Sequence, residues 1–351
     1  MQNLKKAQLV LEDGTIFEGT SFGYEQSVSG EVVFYTAMTG YPESLTDPSY
    51  KGQILVPTYP MIGNYGVPVD TKQDDLPAFF ESDKIHCTAL IISDYSFEYS
   101  HWNSQKVPGL FGIDTRALTK KLREHGAMLG KIVFAGQDVD FYDPNKENIV
   151  AQVSTSEVKE YGNGKYEVVL VDCGVKYNII RCLLKRGVKV KRVPWDYDFT
   201  SEECDGIFLS NGPGDPAQCE KTIENIRKVL DKNIPIMGIC LGNQLMARAA
   251  GAETYKLKYG HRSHNQPVVE PGKNRCYITS QNHGFAIDDK TLPVDWEPLF
   301  VNVNDGTNEG IRHKNKPFFS AQFHPEASSG PVDTEYLFDE FIKNIEVSKN
   351  R

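Results

Sequence analysis

The stretch that most restricts the fold is Pro235-Ile236-Met237-Gly238-Ile239-Cys240-Leu241-Gly242-Asn243-Gln244. A short apolar run bounded this way reads as a strand buried on both faces. It turns at Cys240, and Gly238 and Gly242 let neighbouring backbone approach closely where a helix begins. This is the nucleophile-elbow arrangement with sulfur in place of oxygen. A helix N-terminus beneath Cys240 favours the thiolate, the reactive form. The competing account is a buried structural cysteine in a Gly-rich turn, since cysteine is among the residues most often buried.

The surroundings repeat one grammar. Val168 to Val171 is a continuous apolar run, followed by a helical pattern over Lys176 to Arg186 and a strand from Val188 to Val193. Ile207 to Ser210, a helix from about Glu220 to Lys232, and Ile234 to Ile239 continue the alternation. That series predicts an α/β fold with a doubly wound, mostly parallel sheet.

The first half reads differently, as a β-rich α+β unit. Ala7 to Gly19 alternates around Asp13-Gly14, a hairpin signal, and Thr88 to Ser93 reads as a strand. Asp114-Thr115 opens a helix through Leu118, Leu122 and His125 that Gly126 stops. The polar stretch Thr155 to Lys165 has little to bury, which suggests domains at 1–160 and 166–351. With 351 residues, 40% of them hydrophobic, the chain can give each domain a core.

Charge narrows the partners. Acidic residues outnumber basic ones by 47 to 38, a formal charge of -9, and no Lys/Arg-rich tract offsets this, so nucleic acid and anionic membrane are not expected partners. No apolar run approaches the ~20 residues that span a bilayer. The N-terminus lacks the apolar core of a secretory signal, and the seven scattered cysteines suit reduced thiols. The expected compartment is the cytoplasm.

In open α/β sheets chemistry sits beyond the carboxyl ends of the strands. Besides Cys240, two such places stand out. Phe318 to Ala321 runs through Gln322-Phe323 to His324-Pro325-Glu326. Proline holds His324 extended, so His324 and Glu326 face the same way and the carboxylate can orient the imidazole as a base for Cys240. Alone, this tripeptide reads as a turn with a solvated acid. The loop Ser210-Asn211-Gly212-Pro213-Gly214-Asp215-Pro216 can aim a backbone N–H at an oxyanion, although many such loops are only turns. His261 and His264 lie in what reads as a Lys/Arg-rich loop without a third ligand, so no metal site is expected. Trp102, Trp195 and Trp296 read as packing residues.

Taken together, Gly238 to Gln244, Ser210 to Pro216, Gln281-Asn282-His283-Gly284-Phe285 and Phe323 to Glu326 resemble the class I, or triad, glutamine amidotransferases. Within that family, Lys258 to Pro267, Thr39 to Tyr50, Ile62 to Gly66 and Gly112 to Arg116 look like carbamoyl-phosphate synthetase small subunits, over nearly the whole chain. The resemblance implies Cys240 as nucleophile with His324 and Glu326 as partners. It implies glutamine contacts at Ser49, Gly212, Gly214, Leu241, Gln244, Asn282, Gly284 and Phe285. It further implies release of ammonia from L-glutamine to a large-subunit partner that uses ATP, magnesium and bicarbonate to make carbamoyl phosphate for arginine and pyrimidine synthesis, and no cofactor in this chain. The N-terminal domain is expected to supply much of the contact with that partner.

Two departures accompany the resemblance. Asn243 stands where many relatives carry histidine, a change expected to be tolerated at a helix-opening position outside the triad. The segment Asn103 to Pro108 is short against the family pattern. A peptidase or γ-glutamyl hydrolase on the same sheet, and a non-catalytic module, are the rival readings. The N-terminal motifs argue against the first, and the intact triad spelling against the second.

Overall fold

A computed structural model describes residues 5–59, 61–95 and 106–350; Trp102 and the first half of the Asn103 to Pro108 segment lie outside them. The first half curls into a closed barrel of β1 (Lys6–Leu11), β2 (Ile16–Ser21), β3 (Val28–Tyr35), β4 (Gln53–Pro57), β8 (Ala89–Ile91), β10 (Gly109–Phe111) and β11 (Met128–Phe134). The remaining strands of this half, β5 (Met61–Ile62), β6 (Lys72–Gln73), β7 (Leu76–Pro77) and β9 (Asp94–Tyr95), form two small ribbons.

Alternation in β1 and β11 points Leu9, Leu11, Ile132 and Phe134 inward, against Val32, Ile54 and Leu110. The β1–β2 hairpin turns at Gly14, whose φ of +84° lies in the left-handed region. Helix α1 (Tyr41–Thr46) precedes the Ser49 loop. Helix α2 (Thr115–His125) seals the barrel with Leu118 and Leu122. Asp114 caps it by accepting from the Ala117 N–H at 2.8 Å, and Gly126 follows its last residue, as the sequence predicts.

The second half is a ten-stranded sheet between helices. Its centre, β14 (Val188–Pro194), β13 (Tyr166–Asp172), β15 (Gly206–Leu209), β16 (Ile236–Ile239) and β21 (Phe318–Ala321), is parallel throughout. On one face Leu170, Phe208 and Met237 pack against α3 (Tyr177–Leu184) and α6 (Tyr336–Lys349). On the other, Val169, Ile207 and Ile236 pack against α4 (Glu220–Val229) and α5 (Leu241–Ala250). Burial on both faces is why these strands read as unbroken apolar runs.

Beyond β21 the sheet continues antiparallel through β20 (Asn308–His313), β19 (Trp296–Asn302), β17 (Thr254–Val269) and β18 (Cys276–Ile287). The polar boundary stretch carries a strand of its own: β12 (Lys159–Tyr161) pairs with β14 at the opposite edge. Trp195 and Trp296 pack in the α4–α5 core. All seven cysteines are unpaired. Among the described residues no helix is long and apolar enough to cross a membrane.

Strand β17 is the seam between the halves. Lys256 pairs with Glu31 of β3 at 2.5 Å, the Lys258 carbonyl accepts from Ala127 N–H at 2.8 Å, and the Arg262 carbonyl accepts from Thr36 N–H at 3.2 Å. The expectation of a loop around His261 and His264 is therefore corrected. Its polar residues belong to a strand whose two sides meet the barrel and the sheet, so no apolar alternation marks it.

Candidate active site

The parallel strands deliver their carboxyl ends to this seam. Cys240, after β16, has φ +53° and ψ -104°, a strained conformation for a residue with a Cβ. Close approach explains the flanking glycines: a Cβ on Gly242 would meet the Leu209 carbonyl oxygen at 2.2 Å, and one on Gly238 would meet Gly242 at 2.7 Å. The thiol is thus held at the top of the corner, one residue before the N-terminus of α5, with Sγ 3.5 Å from the Asn282 carbonyl oxygen.

The imidazole of His324 meets Glu326 through Nδ1 and Oε1 at 2.7 Å. Its buried Nε2 has no closed hydrogen bond within the fold, and the neighbouring Cys240 thiol helps hold a proton on the ring. Burial acts against that proton, yet the Glu326 carboxylate prevails and lifts the His324 pKa to about 10. For Glu326, burial favours the neutral acid, but Lys176 and His324 hold its pKa at about 2. The pair is therefore imidazolium and carboxylate at neutral pH.

Lys176 is the residue that sequence reasoning missed. Fully buried, its Nζ stands 3.1 Å from Glu326 Oε1 and 2.6 Å from the Ala327 carbonyl oxygen. Asn178 donates to the Glu326 carbonyl at 2.5 Å. The signal was positional: Lys176 follows the carboxyl end of β13, a strand end as eligible for inspection as the other three.

A cleft opens over Cys240, lined by Ser49, Gly212, Gly214, Gln244, Asn282, Gly284 and Phe285. These are the expected glutamine contacts except Leu241, whose side chain lies beneath the floor, close to the place a Cβ on Gly212 would occupy. The Leu241 N–H, first in α5, has no partner within its helix, and the Gly212 loop packs against the Leu241 side chain. That arrangement suits an oxyanion hole. The barrel closes one side: Ser49 Oγ accepts from Asn211 Nδ2 at 2.9 Å, and Asp47 Oδ2 accepts from Asn282 Nδ2 at 3.1 Å.

Two further groups need placing. Asn243 is fully buried, donating to Gln322 Oε1 at 3.0 Å and accepting from Ser320 Oγ at 2.7 Å, so it ties α5 to the strand that leads to His324. His261, His283 and Glu309 converge with ligand atoms within 4.8 Å of one another, a neighbourhood that the spacing of His261 and His264 did not disclose. His261 bridges Glu309 at 3.2 Å and Asp305 at 2.8 Å. His283 holds the Phe285 carbonyl at 2.8 Å and Gln281 at 3.1 Å. Every ring nitrogen is committed to the protein, which makes this an internal polar network.

A buried Cys–His–Glu triad at the carboxyl ends of a doubly wound sheet defines an amide-hydrolysing site of the thiol type. The chain belongs to the class-I glutamine amidotransferases: the model of the family described as "Glutamine amidotransferase class-I" matches residues 169–344. A second, "Carbamoyl-phosphate synthase small chain, CPSase domain", matches residues 9–132.

The chain is 53% identical to human "Carbamoyl-phosphate synthase [ammonia], mitochondrial" over 98% of its own length and 24% of that protein. It is equally 53% identical to "Multifunctional protein pyr1-3" of Dictyostelium discoideum, over 98% of this chain and 17% of the other. It thus spans a quarter or less of the curated relatives it matches here.

Proposed function

We propose that this chain is the glutamine-hydrolysing part of a carbamoyl-phosphate synthetase. The observation that carries the reading is the triad itself, a cysteine in a strained corner backed by a His324–Glu326 pair at 2.7 Å. The name of the human relative specifies ammonia, and the presence here of Cys240 with His324 and Glu326 favours glutamine as the nitrogen source.

The Cys240 thiolate attacks the side-chain amide carbon of glutamine, and the N–H groups of Leu241 and Gly212 hold the oxyanion. Collapse of the intermediate breaks the C–N bond as His324, already protonated, gives its proton to the departing nitrogen, which leaves as ammonia. His324 then takes a proton from water as the water attacks the thioester, and glutamate departs with the thiolate restored. Glu326 keeps the imidazole in register, and Lys176 keeps Glu326 ionised.

We assign residues 1–160 to a small-subunit domain that contacts a large synthetase partner, and 166–351 to the amidotransferase domain. ATP, magnesium and bicarbonate act on that partner. The family model over residues 9–132 and the much longer relatives support this division. Seven unpaired cysteines support a reducing compartment, read as the cytoplasm; the human relative is named as mitochondrial, and cell fractionation decides between them.

The test is Cys240→Ala assayed with the synthetase partner. Glutamine-dependent carbamoyl phosphate formation is expected to vanish while ammonia-dependent formation persists. Equal loss of both contradicts the reading.

A further inference from the structure

Helix α3 opens on Lys176, a residue that cannot cap it. Its ammonium is committed to Glu326 and the Ala327 carbonyl, and its side chain accepts nothing from the helix. The first N–H groups of a helix have no partner inside it, and Ser, Thr, Asp or Asn at the opening position is the usual remedy. Here the remedy comes from the first half of the chain, in the segment between β7 and β8. Glu81, fully buried, takes the Tyr177 N–H on its carbonyl oxygen at 2.9 Å and the Asn178 N–H on Oε2 at 3.1 Å. The helix dipole favours a carboxylate at that end.

The same carboxylate reaches the other side of the triad. Its Oε1 accepts from Ser328 Oγ at 2.6 Å and from Arg181 Nη2 at 2.7 Å. Ser328 stands two residues beyond Glu326, whereas Lys176 and Asn178 hold Glu326 from α3, through Oε1 and through its carbonyl oxygen. Both supports of the triad carboxylate thus converge on one side chain, 97 residues from Asn178 and 247 from Ser328 in sequence. Burial opposes the Lys176 ammonium, and the Glu326 and Glu81 carboxylates keep its pKa above the ordinary value. Glu81 is fixed in turn. Thr46 Oγ1 accepts from its N–H at 3.0 Å, and Arg181 Nη1 donates to the Pro77 and Phe80 carbonyls at 2.6 and 3.2 Å.

We propose that Glu81 is a positioning residue of the triad: it caps α3 from the other half of the chain, ties that cap to Ser328, and so aims Glu326 at His324. The inference rests on the glutaminase reading and makes the first half a part of the hydrolytic machinery. Misplacement of a reacting array by about 1 Å costs about 100-fold in rate, which sets the scale of the effect.

The test is Glu81→Gln in the chain assembled with its synthetase partner. The substitution keeps the length of the side chain and removes its charge and one acceptor. The kcat for glutamine hydrolysis is expected to fall about 10- to 100-fold, with KM changed less than about threefold. A glutamine-analogue diazoketone is expected to label Cys240 in the same fraction of chains as without the substitution, at a lower rate. Ser328→Ala leaves the α3 cap intact and is expected to lower kcat about three- to tenfold; it carries the test by itself if Glu81→Gln does not fold. A fall in kcat that only matches a fall in the labelled fraction overturns the proposal, because lost folding removes sites without altering those that remain. So does a change confined to KM, or a kcat that neither substitution alters.

A signal from His324 separates this from failure of the glutaminase reading. In protein carrying isotope-labelled histidine, the Nδ1 proton shared with Glu326 is expected as a downfield magnetic resonance, assigned by its absence in His324→Gln. In Glu81→Gln this proton is expected to exchange with water at least about tenfold faster, while the His283 ring proton bonded to the Phe285 carbonyl exchanges as before. If the unsubstituted chain releases no glutamate from glutamine but this selective loss of protection is seen, the positioning role stands and the hydrolytic reading falls. Equal protection of the His324 proton with and without Glu81, or equal acceleration of both protons, overturns the positioning role.

Discussion

Lys176 Nζ stands 3.1 Å from Glu326 Oε1, the same oxygen that meets His324 Nδ1 at 2.7 Å. The site thus joins four groups, thiol, imidazole, carboxylate and ammonium, with all four side chains buried. Opposite charges alternate along its inner end, which is how two ions and an imidazole are accommodated away from water.

Removing the lysine unbalances that arrangement. Lys176→Met leaves Glu326 with His324 alone and strips the Ala327 carbonyl of a donor. The expected cost is ~3–5 kcal/mol of stability, with loss of glutamine hydrolysis, read from denaturant unfolding and from glutamate release.

The His324–Glu326 pair gives stability a definite pH dependence. His324 is raised from 6.5 to about 10, so its contribution is full below pH 6.5 and fades as pH climbs through 10. Glu326 is lowered from 4.5 to about 2, so its contribution is full above pH 4.5 and fades as pH falls through 2. Against burial, the His324 shift is owed to Glu326 and the Glu326 shift to Lys176 first and His324 second, and both contributions are full between pH 4.5 and 6.5. Glu326→Gln is expected to flatten both limbs in a series of thermal unfolding midpoints against pH, and to lower kcat ~100-fold or more.

Gly242 has no latitude. Gly242→Ala would drive a Cβ to 2.2 Å from the Leu209 carbonyl oxygen, backbone that cannot swing aside. Destabilisation above ~3 kcal/mol, or failure to accumulate as folded protein, is expected by circular dichroism.

The barrel is expected to contribute to catalysis as well as to docking. Asp47 holds the Ser49 N–H at 2.9 Å with one oxygen and Asn282 at 3.1 Å with the other. Asp47→Ala is expected to lower kcat/KM for glutamine ~10-fold and to cost ~1–3 kcal/mol of stability, as steady-state kinetics and thermal unfolding would register.

The parts of this fold that obey a simple period were legible in the sequence. The parallel strands read as apolar runs because helices cover both faces, and α2 announced itself through Asp114 and Gly126. Cys240, His324 and Glu326 could be found because strand ends are where such folds place chemistry. Lys176 obeys the same rule and was passed over, since a lysine after Cys173-Gly174 looks like any surface residue until burial is known.

Strand β17 was hidden for a deeper reason. It packs polar residues against polar partners on both sides, so Arg262 and His261 carry no apolar rhythm to mark them as interior. Closure of the barrel depends on pairing β1 with β11, residues more than a hundred positions apart, and no local pattern encodes that.

The central claim is that Cys240 is the nucleophile and His324 its proton partner. The measurement that bears on it most directly is intact-protein mass spectrometry after exposure to a glutamine-analogue diazoketone, followed by peptide mapping. A single adduct on Cys240 is expected, blocked by excess glutamine, absent in Cys240→Ala and slowed in His324→Ala. Labelling at another cysteine, or equal labelling with and without glutamine, would contradict the account.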